Sequence, residues 1–172
     1  ARRLAALAAA SVRRLFEIDD HEACRLLVDF HAAVGVEAAV AGLEGCDNRW
    51  RHEYLKALFA RDEVVGHQYH MQMVELFAEY EPQSLLDFLR RSERYSLEDA
   101  LEVCRRRGLL EEEAYLLGRA GQVNDALKVL LEKLGNIGLA VEFAAQYHDP
   151  KLWEFLVAFA LERPHLLVPL LG

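Results

Sequence analysis

The chain has 172 residues, of which 53% are hydrophobic and 28% charged, a globular composition that excludes a disordered tail. Asp and Glu number 28 against 20 Lys and Arg, for a formal net charge of -8, so the overall field opposes nucleic acid. Three cysteines are too few for a disulfide framework and fit a reducing compartment.

No stretch approaches the ~18 uncharged apolar residues of a membrane span. The longest apolar run, Ala32 to Gly45, is interrupted by Glu37 and Glu44. The opening ARRLAALAAASVRRLF is rich in Ala and Arg and lacks acids, as transit peptides do. It reads equally as an amphipathic helix, and no sorting signal is assigned to it.

Taken in chain order, helical periodicity predicts helices over about 2–17, 20–34, 36–44, 48–61, 66–80, 82–91, 96–107, 109–120, 122–134, 136–147, 150–162 and 164–171. Leu97, Ala100, Leu101 and Cys104 recur at i, i+3, i+4, i+7. So do Val123, Ala126, Leu127 and Leu130, then Ile137, Ala140, Val141 and Ala144, then Leu152, Phe155, Leu156 and Phe159. Each stripe needs a neighbouring helix to cover it. Pro82, Asp149-Pro150, Pro164 and Ser96 with Asp99 read as helix starts. Gly108, Gly121 and Gly135 read as stops, where a left-handed residue ends a helix without a Cβ penalty. No strand is predicted, and the short gaps predict antiparallel neighbours.

Asp99-Ala100-Leu101-Glu102-Val103 returns 26 residues later as Asp125-Ala126-Leu127-Lys128-Val129, with a looser echo at Ala140-Val141-Glu142-Phe143. The small Ala lets two helices approach closely. Repeat, short helices and short loops together favour one all-α solenoid over 1–172 rather than a closed bundle.

Several collinear blocks carry a family resemblance. They are Tyr54-Leu55-Lys56-Ala57-Leu58-Phe59-Ala60-Arg61-Asp62, Gly66-His67-Gln68-Tyr69-His70, Leu76-Phe77-Ala78-Glu79-Tyr80 and Leu85-Leu86-Asp87-Phe88-Leu89-Arg90. AYLLGRAG at 114–121, Ala126-Leu127-Lys128, Ala140–Ala144, Asp149 and Leu152-Trp153-Glu154 continue the order. This pattern resembles the helical, clathrin-heavy-chain-repeat region of the vacuolar protein sorting-associated protein 41 family. The match covers 50–172, while 1–49 match in helical character alone. The resemblance implies a subunit of the HOPS tethering complex, which brings late endosomes and carrier vesicles to the vacuole or lysosome before fusion. It further implies a cytoplasmic protein, peripheral on those membranes, whose partners are other HOPS subunits or a second copy of itself. Membrane contact would then be indirect, and no nucleic acid or cofactor is implied.

The chemistry-bearing residues read as structural. His67 and His70 fall at i, i+3, but no Glu follows His67, and two imidazoles alone make no stable metal site even with His52 or Glu53 nearby. Cys24, Cys46 and Cys104 form no CxxC pair, and Cys104 lies on an apolar stripe. Arg105-Arg106-Arg107 ends one helix and Glu111-Glu112-Glu113 opens the next, complementing the helix dipoles. Tyr147 and Trp153 are expected to pack between helix pairs. Catalytic, cofactor and metal residues are therefore expected to be none. Two further readings are a self-assembling clathrin-like coat module and a tetratricopeptide-like peptide-binding superhelix, the latter weakened by the lack of a 34-residue period. The apolar end His165–Gly172, with five aliphatic side chains and no Asp, Glu, Lys or Arg, is expected to fold back on the Leu152–Phe159 helix or to self-associate.

Overall fold

The structure is a computed structural model that describes residues 2–62 and 64–163, with side chains described from residue 10 onward. Within those residues the chain is all-α, with twelve α-helices and no strand. The predicted helix 164–171 and the expected fold-back of His165–Gly172 lie outside the described residues. The chain divides into two compact units, 1–95 and 96–172, and within each unit helices pack on one another as in an α-solenoid.

The first unit holds α1 (Arg2–Ile18), α2 (Asp20–Asp29), α3 (His31–Val34), α4 (Val36–Gly42), α5 (Asn48–Arg61), α6 (His70–Tyr80) and α7 (Pro82–Arg91). Helix α1 packs on α2 and α4, α2 on α5, α5 on α6, and α6 on α7. The centre is dry: Leu43, Tyr54, Leu55, Leu58, Met73, Leu85 and Leu89 are fully buried. Aromatic contacts add to it, with Phe59 4.8 Å from the His70 ring and Phe77 5.1 Å from Phe88.

The second unit holds α8 (Leu97–Arg107), α9 (Leu110–Arg119), α10 (Val123–Lys128), α11 (Ile137–Tyr147) and α12 (Pro150–Leu161). Helix α9 packs against both α8 and α10, and α11 packs against α10 and α12. Ala100, Ala126 and Ala140 are all fully buried, so the repeated Ala marks a close helix approach each time. The two copies of the repeat lie on α8 and at the end of α10, the two helices that pack on α9.

The expected helix ends hold at the caps. Ser96 accepts from the Asp99 backbone N–H at 3.3 Å, Asp149 accepts from that of Lys151 at 3.0 Å, and Pro82 and Pro150 open α7 and α12. Gly108, Gly121 and Gly135 all have positive φ, at 70°, 76° and 69°. After Gly108 and Gly121 the chain folds back through bonds from Leu109 N–H to Cys104 C=O and from Gln122 N–H to Leu117 C=O, both 2.9 Å.

Three predicted helices are interrupted. The stretch 20–34 breaks at Phe30 (φ -108°, ψ 23°), and no residue of α3 continues the buried stripe of Ala23, Leu27 and Val28. The stretch 66–80 starts as a 3₁₀ turn over His67–Tyr69, preceded by Gly66, which lies directly under the Phe59 ring where a Cβ would have no room. The stretch 122–134 widens into a π turn over Val129–Lys133, where Leu134 N–H bonds Val129 C=O at 2.9 Å. The wider turn lets three consecutive side chains, Val129, Leu130 and Leu131, all face the core.

Candidate interaction surfaces

The last described helix carries the clearest outward apolar face. Leu152, Leu156, Phe159 and Ala160 turn inward, which leaves Trp153, Val157 and Leu161 at i, i+4, i+8 on the solvent side. These three are 37%, 48% and 64% exposed and, with His148 and Pro150, line a shallow depression. Trp153 is expected to pack between helix pairs; its position next to inward Leu152 turns it out of the buried stripe and leaves it partly exposed. Tyr147 is also partly exposed, but its ring rests on Phe143 at 4.6 Å.

The basic run meets the acidic run through one buried carboxylate. Glu113 is 2% exposed in the first turn of α9 and accepts from Arg105 Nε at 3.1 Å and from Lys133 Nζ at 3.3 Å. Charge-assisted bonds of this kind are needed to hold a carboxylate away from water. Arg105 thus has the structural role expected of it, and Lys133 at the end of the π turn is a partner that sequence spacing does not reveal.

The two histidines occupy different settings. His67 is exposed, with Nδ1 3.1 Å from the Val64 carbonyl. His70 is 1% exposed at the start of α6, and its Nδ1 is hydrogen-bonded to Ser92 Oγ. His52 is turned to neither and instead lies 3.3 Å from Glu81 Oε2. Among the described residues, no group of three or more His, Cys, Asp or Glu could hold a metal ion.

Glu81 organises a cluster that the sequence reading does not single out. Lys56 Nζ donates to its Oε2 at 2.5 Å, and Ser84 Oγ donates to its Oε1 at 2.6 Å. Those two bonds, with His52 adding to them, hold the carboxyl down at about 2. The residue types are those of a serine hydrolase, but the order is wrong: the carboxylate stands between hydroxyl and imidazole, so His52 cannot take the Ser84 proton. The cluster ties α5 to the start of α7. Its only sequence signal is a Glu placed just before a helix-opening Pro, with Ser two residues after that Pro.

Burial pushes the Cys24 thiol up to about 11 and the Cys104 thiol to about 12, opposite to what a nucleophile needs. Among the described residues, no helix is long and apolar enough to cross a membrane.

The family model described as the Vps41 TPR-like region matches residues 2–172. The chain belongs to the Vps41 family. Vacuolar protein sorting-associated protein 41 homologs from Homo sapiens and Mus musculus are each 38% identical over 158 residues, covering 92% of this chain and 18% of their own length. The Arabidopsis thaliana homolog is 43% identical over 123 residues, covering 71% of this chain and 13% of its own. The chain therefore spans less than a fifth of the curated relatives it matches. No solved structure matches it. The Vps41 match begins at residue 2, so likeness to the family extends through the first fifty residues, beyond their helical character alone.

Proposed function

We propose that the chain is a non-catalytic scaffold segment of a HOPS-type tethering subunit, acting through protein–protein contacts in the delivery of vesicles and late endosomes to the vacuole or lysosome. In this reading residues 1–172 form one solenoid segment of a cytoplasmic protein held peripherally on those membranes, with contact to lipid made by partners. The names of the relatives support the vacuolar assignment. The observation that carries the scaffold reading is the contrast between two sets of side chains. His52, His70 and Glu113 are buried and hydrogen-bonded, Glu81 and Arg105 are held in ion pairs, while Trp153, Val157 and Leu161 face outward. An outward aromatic and aliphatic stripe is what a contact surface uses.

The test is co-purification of this chain with each of the other tethering subunits, with the full-length protein as positive control. Retention of at least one subunit, lost on Trp153→Ser with Val157→Ser, is the expected result. Retention of none, together with concentration-dependent oligomers of the chain alone, would favour the self-assembling coat module.

A further inference from the structure

The first unit contains a cavity of about 460 Å³ between α1, α2 and α5, within the size range of ligand pockets. Its floor is apolar. Phe16, Val28 and Ala57 line it, Cys24 lies half-buried on α2, and Trp50 is held in place by Phe16 at 5.4 Å between ring centroids. Trp50 is half-buried, so one part of its ring is fixed by packing while the cavity has access to the rest.

The rim is acidic in an uneven way. Two of its charges are already neutralised: Arg25 pairs with Glu22, and Asp29 pairs with Arg61. Asp20 on α2 and Glu53 on α5 are exposed and form no ion pair among the described residues, and His21 is the remaining titratable group at the rim. Both carboxylates act on the same point, since Glu53 and Asp20 each add to the burial that pushes the Cys24 thiol up. An aromatic ring and two unneutralised carboxylates lining one cavity favour one kind of side chain: a long aliphatic stem with a cationic head. It also rejects nucleic acid and anionic lipid, whose phosphates would meet Asp20 and Glu53 in a chain already at a formal -8.

We propose that this cavity is the docking site for a basic segment of a partner protein, whose Arg or Lys side chain lies across Trp50 with its charge between Asp20 and Glu53. Trp is the strongest aromatic partner for a cation, and Phe16 has already ordered the ring, so little conformational freedom is lost on binding. The flanks of Phe16 and Val28 suit an apolar residue on either side of the cation. This goes beyond the scaffold reading, because it places a particular chemistry on the first unit whatever complex the chain joins.

The experiment uses the 172-residue chain and two capped pentapeptides, glycine–leucine–arginine–leucine–glycine and the same peptide with citrulline for arginine. Binding is read by NMR at the Trp50 indole N–H, assigned through Trp50→Phe, with the Trp153 indole as internal control. The arginine peptide should shift the Trp50 signal and leave Trp153 in place, and citrulline should weaken binding about fivefold, the upper range for an exposed ion pair. Asp20→Asn with Glu53→Gln should lower affinity for the arginine peptide to the citrulline level and leave citrulline binding unchanged. Both substitutions are at exposed positions, so the fold should hold; should it fail, the citrulline comparison on the unaltered chain still decides the matter. Equal binding of the two peptides would overturn the proposal and leave only an apolar groove. So would shifts confined to Trp153, or a dimer of the chain that occupies the cavity and resists the peptide.

Discussion

Gly118, inside the AYLLGRAG stretch, allows a sharp test of how α9 and α11 approach. A Cβ at this position would lie 2.5 Å from Tyr147 Oη and 2.9 Å from a Phe143 ring carbon. In an isolated helix Gly118→Ala would be favourable by about 1 kcal/mol, because alanine loses less backbone freedom. Here the added methyl must displace two aromatic side chains, and overpacking of this kind costs about 1–3 kcal/mol. Tyr147 is partly exposed and can swing away, so the cost concentrates on Phe143, which packs against the buried core of the second unit. The net expectation is a loss of about 1 kcal/mol, equivalent to a melting temperature lower by about 2–4 °C. Trp153 reports on this unit, so thermal unfolding followed by its fluorescence, with Trp50→Phe as background, isolates the effect. Adding Phe143→Leu to Gly118→Ala should restore part of the loss, and a double-mutant cycle gives the coupling. Equal or higher stability of Gly118→Ala would show that α9 and α11 do not depend on this close approach.

Tyr54 is fully buried, and its hydroxyl has no hydrogen-bond partner, so Tyr54→Phe should stabilise the first unit by about 1 kcal/mol in urea titrations. For Glu81, a carboxyl held at about 2 against an ordinary 4.5 contributes stability that is fully present above pH 4.5 and lost as pH falls toward 2. Glu81→Gln should therefore flatten the fall in urea midpoint across that window, and an unchanged slope would mean that Lys56 and Ser84 do not act on it. Iodoacetamide at pH 7.5 should modify Cys24 on the order of a hundredfold more slowly than a free thiol, by peptide mass spectrometry, because its thiolate is scarce.

Helix ends were legible where one residue decides them. Asp149, Pro150, Ser96 and the three stop glycines each act through their own backbone or a single side-chain bond, so spacing alone reveals them. The breaks at Phe30 and in Val129–Lys133 were not legible, because they depend on which stripe a distant helix covers. Trp153 shows the same limit: an apolar residue beside a stripe looks like core until the phase of the helix is known. The Glu81 cluster joins residues 25 and 29 positions apart in sequence, and no local pattern announces such a meeting. The groove at Trp50 likewise takes its walls from three helices.

The arrangement around α9 also bears on how the second unit assembles. Two helices that share a five-residue surface both pack on it, so the nascent chain offers α9 two almost interchangeable partners. Such duplication is a local source of frustration: α8 docked in the place of α10 would satisfy much the same apolar contacts and delay maturation. Glu113 breaks the degeneracy. It requires a cation from each side, Arg105 beyond one copy of the repeat and Lys133 beyond the other, at different distances along the chain from the shared Ala. A swapped arrangement would bury that carboxylate without this pair of donors, so the two bonds to Glu113 distinguish helices whose apolar surfaces are otherwise alike.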